Sequence, residues 1–441
     1  MTQLPGSPHL AYRDAELFID AHSVGKLAQR FGTPLYVYSR TAMLAALASY
    51  QRALSGRDHL ICYAMKANST LAVLQTFAQA GCGFDIVSGG ELERVLAVGA
   101  APSKIVFSGV GKTRAEMRRA LEVGVMCFNV ESEAELEVLS QVASQMNAIA
   151  RVSLRVNPDV DPGTHPYIST GLKGNKFGIA HERALACYQH AASLPGLEVV
   201  GIDFHIGSQI TDVGPYLDAV DRMLDLVGAI EAHGIALQHL DLGGGLGITY
   251  DDEVPPSAEF LVASLLERID ARGYGQRKIM FEPGRSLVGN AGVLVTEVLY
   301  LKPGQSSGDQ TDSQATAAKN FCIVDAGMND LLRPALYEAW MQIVACQVRD
   351  EPPVLCDVVG PVCESGDWLG RDRSLAVRAG DFIAVLSAGA YSRSMASNYH
   401  SRGRPAEVMV TGDQAWVIRD RETTADLLRG EHLLAAGTEA G

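Results

Sequence analysis

Eight short apolar runs, separated by stretches with helical spacing, constrain the fold of this chain more than any other feature. The runs cover residues 60–66, 83–88, 104–110, 125–130, 150–157, 198–207, 237–243 and 278–283. Between them, stretches such as 91–96 and 133–139 repeat their apolar residues with the period of a helix. Strands that alternate with helices predict an α/β fold, and eight such units in about 250 residues favour a (β/α)8 TIM barrel over an open doubly wound sheet.

The pattern changes after residue 290. Apolar runs follow one another there with turns and without helical connectors, at 291–301, 321–326, 354–360, 381–386 and 406–410, and a polar, low-complexity loop occupies 304–319. We therefore predict a barrel domain at 30–290 and an all-β domain built from 1–29 and 291–441. A helix is expected at 23–31. The strand expected at 33–38 has no barrel partner, which leaves open whether it joins the second domain.

Composition narrows the partners and the compartment. The 441 residues are 47% hydrophobic and carry a formal net charge of −14, which argues against nucleic acid or an anionic membrane surface and favours a small molecule. No run of about 18 apolar residues and no targeting segment is present, so the cytoplasm is expected. The eight cysteines lack CxxC spacing and indicate buried thiols instead of disulfides or a metal site.

Lys66 ends the first apolar run, in the stretch CYAMKAN at 62–68. A buried ammonium is unfavourable unless it is paired or loses its proton, and an unprotonated lysine attacks aldehydes. Lys66 is thus a candidate Schiff-base lysine. The alternative is a lysine at a strand end whose ammonium simply reaches solvent.

Other polar residues lie near the ends of later runs, where a barrel keeps its active site. They are Asp85, His205, the glycine triplet 243–245, Glu282 and Arg285. Each also has an ordinary structural role: a cap, a core histidine, a tight bend or an ion pair. Together, a lysine for an aldehyde, glycines with Ser208 for a phosphate and an acid for a pyridine nitrogen describe a pyridoxal phosphate site.

Seven motifs then occur in order along 33–410: YAMKAN at 63–68, FDIVSGGE at 84–91, FHIGSQ at 204–209, GGG at 243–245, EPGR at 282–285, CESGD at 363–367 and GAY at 389–391. With them the chain resembles the pyridoxal-phosphate-dependent decarboxylases of the alanine racemase fold, and among these the diaminopimelate group. The resemblance implies cofactor-binding roles for Lys66, Asp85, His205, Ser208, Gly244, Gly245, Glu282, Gly284, Arg285 and Tyr391. His205 would stack on the ring, and Glu282 would contact the pyridine nitrogen.

The resemblance also implies a substrate site and a partner. Substrate would be bound by Arg285, Arg333, Tyr337, Glu364 and Tyr391. Lys66 and Cys363 would be catalytic, with the Cys363 thiol as proton donor. Because Cys363 and Glu364 reach the neighbouring subunit's site in this family, a homodimer with shared active sites is expected.

The implied activity is that of a carboxy-lyase, which converts meso-2,6-diaminopimelate to L-lysine and carbon dioxide in the last step of lysine biosynthesis. Guanidinium groups suit a distal carboxylate, and an ornithine site would favour acids and an aspartate where this chain has Glu364. The stretch 164–171 also resembles the diaminopimelate group, whereas Arg393 and the segment 304–319 depart from it. A racemase, which needs a second base, and a non-catalytic cofactor-binding protein remain rivals. The second is disfavoured, since it would have the barrel alone.

Overall fold

The computed structural model describes residues 3–161, 163, 170, 175–304 and 319–434. The chain begins with an antiparallel sheet of three short strands, β1 (Leu10–Arg13), β2 (Glu16–Ile19) and β3 (His22–Ser23). The Ser23 hydroxyl then accepts from the backbone N–H of Lys26 and caps α1 (Val24–Phe31), the helix expected at 23–31. β4 (Leu35–Ser39) and α2 (Arg40–Ala53) follow.

Eight parallel strands close into a barrel, which confirms the fold predicted from the alternating pattern. The strands of this sheet are β5 (His59–Ala64), β6 (Gly83–Ile86), β7 (Ile105–Phe107), β8 (Cys127–Val130), β9 (Ala150–Asn157), β10 (Ile179–Ala180), β11 (Leu197–Asp203), β12 (His239–Asp241) and β13 (Lys278–Phe281). The short β10 is an addition beside β9 and not one of the eight. Pairing of β13 with β5 and of β8 with β9 completes the ring.

Helices cover the outside of the barrel: α2, α3 (Leu71–Gln79), α4 (Gly89–Ala97), α5 (Arg114–Val123), α6 (Glu133–Gln145), α7 (His181–Ser193), α8 (Gly214–Ala232) and α9 (Ala258–Ala271). The single turn α10 (Arg285–Val288) follows β13. The longest, α8, buries Tyr216, Val220, Leu224 and Val227, which lie three or four residues apart on one face. Burying side chains of this size contributes about 1.5–3 kcal/mol each, so the apolar face fixes the helix against the strands.

The inside of the barrel is divided into an apolar layer and a polar layer. Leu60, Cys62, Val106, Cys127, Val200 and Met280 form the apolar cluster. Asn129 comes two residues after Cys127, and Glu282 two residues after Met280, so the strand period carries the same face from apolar to polar. Polar side chains thereby gather at the carboxyl ends of the strands, where barrels hold their sites.

The second domain is largely β. Its elements are β14 (Gly292–Lys302), β15 (Asn320–Val324), α11 (Arg333–Tyr337), β16 (Ile343–Ala345), β17 (Val354–Val359), β18 (Trp368–Leu375), β19 (Phe382–Val385), β20 (Ala406–Thr411), β21 (Gln414–Arg419) and α12 (Thr424–Leu427). The sheet runs β18-β17-β15-β14-β4-β20-β21, and β19 joins β14 to β16. The five predicted strands are present, and the structure adds three further strands, β16, β18 and β21, and two short helices.

The strand expected at 33–38 joins the second domain, because β4 pairs with β14 and β20 in the second sheet.

Seven cysteines are buried, as expected, and Cys363 alone of the eight is exposed. Apart from Thr170, Gly304 and Lys319, the stretches 164–171 and 304–319 lie outside the described residues. In the part of the chain that is described, no helix is both long and apolar enough to cross a membrane.

Candidate active site

Lys66 lies just beyond β5, in the single 3-10 turn Met65–Ala67. Its Nζ is 2.8 Å from Oδ2 of the buried Asp85, and 38% of its side chain is exposed. Burial alone would lower the pKa of Lys66, but the charges of Asp85, Tyr391 and Glu282 outweigh burial and raise it above the ordinary lysine value. A lysine in this place can be stabilised by an ion pair or by losing its proton. Lys66 is therefore stabilised by its ion pair with Asp85 and keeps its proton.

Three buried acids, Asp203, Asp241 and Glu282, have carboxylate oxygens that all lie within 4.8 Å of one another. Burial, followed by repulsion between these carboxylates, raises the pKa values of Glu282 and Asp203 well above their usual range. Burial also raises the pKa of Asp241 to about 7. Because such close carboxylates cannot all ionise, the cluster shares protons at neutral pH.

Hydrogen bonds fix two members of this acidic cluster. Asn129 donates from Nδ2 to Glu282 Oε1 at 3.2 Å, and the N–H of Gly243 donates to Asp241 Oδ1 at 3.0 Å. Asp203 Oδ1 and Asp241 Oδ2 are buried without a hydrogen-bond partner among the described residues. The cluster can therefore still receive a cationic N–H, such as that of a pyridinium ring.

His205 follows β11 by two residues and lines a cavity that Lys66 and Glu282 also line. Burial, then the charges of Arg155 and Lys66, lowers its pKa well below the ordinary value, so the imidazole is neutral. Its Nδ1 accepts from the N–H of Gly244 at 3.2 Å, which fixes the ring. A neutral, oriented imidazole suits stacking on an aromatic cofactor.

The glycine triplet is required by close backbone approach. A Cβ on Gly244 would lie 2.1 Å from the Glu282 carbonyl oxygen, and a Cβ on Gly245, whose φ is +101°, would lie 2.3 Å from the Gly207 carbonyl oxygen. Gly284 is also tight, since its Cβ would lie 3.1 Å from the carbonyl oxygen of Ala64. Gly245 therefore packs directly on Gly207, the neighbour of Ser208, and backbone without side chains suits the close approach of a phosphate.

Two buried guanidinium groups meet at the Tyr250 side chain. Arg285 donates from Nη1 to Tyr250 Oη at 2.5 Å and from Nη2 to Ser208 Oγ at 2.9 Å, and it lies 4.9 Å from the Tyr391 ring centre. Arg333 lies over the rings of Tyr250, at 5.3 Å, and Tyr337, at 5.6 Å. Burial lowers the pKa of Arg333. A cationic pocket with aromatic walls results, suited to a carboxylate.

Hydrogen bonds from the second domain hold the turn that carries Lys66. The N–H of Tyr391, a residue with φ of +53°, donates to the Ala67 carbonyl at 2.8 Å. Asn68 Nδ2 donates to the Gly389 carbonyl at 3.2 Å, and Ser394 Oγ donates to the Ala67 carbonyl at 3.2 Å. The loop that carries Tyr391 is therefore bound directly to the turn that carries Lys66.

Arg393 belongs to the same junction. Its Nε is 3.0 Å from Glu407 Oε1, and the other Glu407 oxygen accepts from Tyr38 at 2.9 Å and from Thr70 at 2.8 Å. Glu407 is fully buried. The departure from the family pattern at Arg393 is therefore part of a buried ion pair within the second domain, and Glu407 of that pair also accepts a hydrogen bond from Thr70 of the barrel.

A cavity of about 390 Å³ brings some of the predicted residues together. Lys66, His205 and Glu282 line it, with Arg155, Asp203 and Thr170 among their neighbours. Cys363 and Glu364 are exposed and are not among the described residues that line this cavity.

Sequence reasoning missed Asn129, Arg155, Asp203, Asp241 and Tyr250. Arg155 lies over the Phe177 ring at 5.0 Å and pairs with Glu131 at 3.3 Å. A signal existed for two of the five: Asp203 precedes His205 by two residues, and Asp241 precedes Gly243 by two. Strand periodicity places such pairs on one face.

The site fits pyridoxal phosphate. A lysine suits its aldehyde, the acids around Glu282 suit its pyridine nitrogen, His205 suits its ring, and the surface made by Gly244, Gly245 and Ser208 suits its phosphate.

Comparisons with known proteins agree with this geometry. Residues 40–289 match the family model described as the pyridoxal binding domain of pyridoxal-dependent decarboxylases. Diaminopimelate decarboxylase from Pseudomonas aeruginosa is 56% identical over 424 residues, which cover 96% of this chain and 99% of that protein.

Two solved structures are also similar. Diaminopimelate decarboxylase from M. jannaschii, in co-complex with L-lysine, has a TM-score of 0.90 and 37% identity, covering 98% of this chain and 99% of that one. The Helicobacter pylori enzyme complexed with L-lysine has a TM-score of 0.85 and 41% identity, covering 92% and 98%. The chain therefore belongs to the diaminopimelate decarboxylase family of pyridoxal-phosphate-dependent decarboxylases.

Proposed function

We infer that the chain carries out the reaction of its family, the decarboxylation of meso-2,6-diaminopimelate to L-lysine and carbon dioxide, and that the residues described above perform it. The chain is a carboxy-lyase of lysine biosynthesis that uses pyridoxal phosphate. The observation that carries the residue assignment is the placement of Lys66 with Glu282 and His205 around one cavity at the carboxyl ends of the barrel strands.

When bound, pyridoxal phosphate accepts the electron pair left as the C–CO₂ bond breaks. Glu282 holds a proton at the pyridine nitrogen, and the hydrogen bond from Asn129 keeps Oε1 of Glu282 in place. Asp203 and Asp241 lie in the same carboxylate cluster and share its protons, and a pyridinium nitrogen beside Glu282 would favour the ionised form of that carboxylate. His205 presents a neutral ring face.

Substrate binding is assigned to the cationic pocket at Tyr250. A guanidinium binds a carboxylate through two parallel hydrogen bonds, and Arg333 lies over the rings of Tyr250 and Tyr337 with its Nε unbonded within the described residues. Arg285 is already bound to Ser208, so it connects this pocket to the phosphate region. Arg333 is therefore the better candidate for the distal carboxylate, and Glu364 for the distal ammonium.

Protonation of the product is assigned to Cys363 in a homodimer with shared sites. Cys363 and Glu364 lie on the surface of the described chain, away from the lining of the Lys66 cavity, which supports their use by a second subunit.

Pairing of β4 with the second sheet and the match over 40–289 favour a barrel domain that begins after Ser39. A cytoplasmic location is also proposed, since it suits a biosynthetic enzyme.

Borohydride reduction of the holoenzyme followed by peptide mapping tests the assignment of Lys66. Label is expected on Lys66, and Lys66→Ala should lose the visible absorbance of the bound cofactor and several orders of magnitude in turnover. Lys104→Ala, which changes a lysine before β7, serves as the matched control with full absorbance. Label on a different lysine would contradict the assignment.

Release of carbon dioxide with lysine as product, without change in the optical rotation of unreacted substrate, separates the decarboxylase from the racemase. Racemisation without carbon dioxide would contradict the proposed function.

A further inference from the structure

Tyr399 contacts the one acidic side chain assigned to the substrate. Its hydroxyl donates to Glu364 Oε1 at 2.5 Å, across 35 positions of the chain. Glu364 is exposed, and Tyr399 is 45% exposed. A glutamate on a surface samples several rotamers, so a hydrogen bond that selects one of them sets where its charge is presented.

The loop that carries Cys363 and Glu364 is fixed at its base. Asp367 accepts from the N–H of Met328 at 2.6 Å and from the N–H of Val362 at 2.6 Å. The N–H of Asp367 in turn donates to the Glu364 carbonyl at 3.0 Å. The backbone of Glu364 is therefore tied to the segment 325–330, while its side chain extends from that frame.

The turn that carries Tyr399 is bound to the same segment from both sides. Ahead of it, the N–H of Ser397 donates to the Asn329 carbonyl at 2.9 Å. Behind it, Arg402 donates from Nη2 to the Asp325 carbonyl at 2.6 Å. The loops that carry Tyr399 and Glu364 are thus both hydrogen-bonded to the segment 325–330, which holds the two residues near each other.

The chemistry of Tyr399 and Glu364 suits a hydrogen bond that orients the carboxylate. The hydrogen bond from Tyr399 to Glu364, with the charge of Glu364 next and then burial and Cys363, raises the pKa of Tyr399, so the hydroxyl stays a donor at neutral pH. A carboxylate has two oxygens with several acceptor directions, and one bond from Tyr399 leaves acceptor capacity for an ammonium. A tyrosine here orients the carboxylate without neutralising it.

We propose that Tyr399 is a positioning residue that holds the Glu364 carboxylate in the orientation that receives the substrate's distal ammonium. The inference rests on the proposed role of Glu364 and extends it to a residue outside the seven motifs. In a dimer with shared sites, Tyr399 then acts from the same subunit as Cys363 and Glu364.

Steady-state kinetics of the holoenzyme with diaminopimelate tests this proposal in a double-mutant cycle. Tyr399→Phe removes only the hydroxyl and should raise KM by roughly 10-fold, the worth of a hydrogen bond to a charged group, with kcat within about 2-fold. Glu364→Gln should raise KM by at least as much. In the Glu364→Gln background, Tyr399→Phe should change KM by less than about 2-fold, because there is no charge left to orient.

Tyr300→Phe, at an exposed tyrosine of β14, is the matched control and should leave KM unchanged. Unchanged KM in Tyr399→Phe, with KM raised in Glu364→Gln, overturns the role of Tyr399 and leaves the proposed function standing. An equal increase from Tyr399→Phe in both backgrounds also overturns it, since Tyr399 then acts independently. Unchanged KM in Glu364→Gln contradicts the assignment of Glu364 and the inference together.

Discussion

Replacing Arg333 with alanine should depress diaminopimelate turnover by a factor of roughly 30 or more, while cofactor binding stays intact. Arg333 is 6% exposed and lies against the rings of Tyr250 and Tyr337, so a carboxylate that reaches it is largely desolvated. Losing one partner of a desolvated, charge-assisted pair costs about 2–5 kcal/mol, which corresponds to a factor between roughly 30 and several thousand. The loss should be in kcat/KM.

Arg333→Lys separates charge from shape. It keeps the positive charge but loses the planar fork that binds two carboxylate oxygens and packs against aromatic rings, so it should recover only part of the lost turnover. Arg13→Ala is the matched control, because Arg13 also lies over an aromatic ring, that of Phe18 at 5.0 Å, in the N-terminal sheet.

The assay measures carbon dioxide release against substrate concentration, alongside the visible absorbance of the bound cofactor. Arg333 does not line the cavity around Lys66, so absorbance should match that of the unchanged enzyme in all three variants. Full cofactor occupancy with unchanged kinetics in Arg333→Ala would refute the assignment of the distal carboxylate to this residue.

Two further predictions concern proton transfer. Cys363→Ala should slow product protonation by about 10²–10⁴-fold with normal cofactor loading, and mixing it with Lys66→Ala subunits should restore one working site per mixed dimer. No recovery after verified subunit exchange would mean that both residues serve one chain's site. Asp85→Asn removes a charge that raises the pKa of Lys66, so cofactor capture by the apoenzyme, which needs the unprotonated amine, should shift to lower pH. An unshifted rate–pH profile would contradict that reading of the ion pair.

The barrel was predictable because its information is local. Each strand is a short apolar run, and each helix carries its own apolar face, as α8 does. The structure ends most strands earlier than the sequence predicted: β11 ends at Asp203 and not near 207, and β12 ends at Asp241 and not at 243. The polar residues and glycines that follow these strands are no longer paired in the sheet, and they form the site.

The candidate site was predictable only where a motif marks it. Lys66, His205 and Glu282 stand in recognisable stretches, and the structure places them around one cavity. Asn129 and Tyr250 have no local signal, because their roles depend on contacts with Glu282 and Arg285, which are 153 and 35 positions away. Tyr399 is likewise identified only by its hydrogen bond to Glu364. Such contacts exist only in the folded chain.

The junction behind Lys66 bears on how enzymes of this kind can be recombined. Asn68 and Ala67 of the barrel are bonded to Gly389, Tyr391 and Ser394, while Thr70 reaches Glu407. A chimera that joins this barrel to a relative's β domain would replace the residues whose hydrogen bonds hold the turn that carries Lys66. Hybrids that keep the native 389–407 segment with the native barrel should therefore retain cofactor binding, whereas a crossover between the two would separate partners that this structure bonds directly.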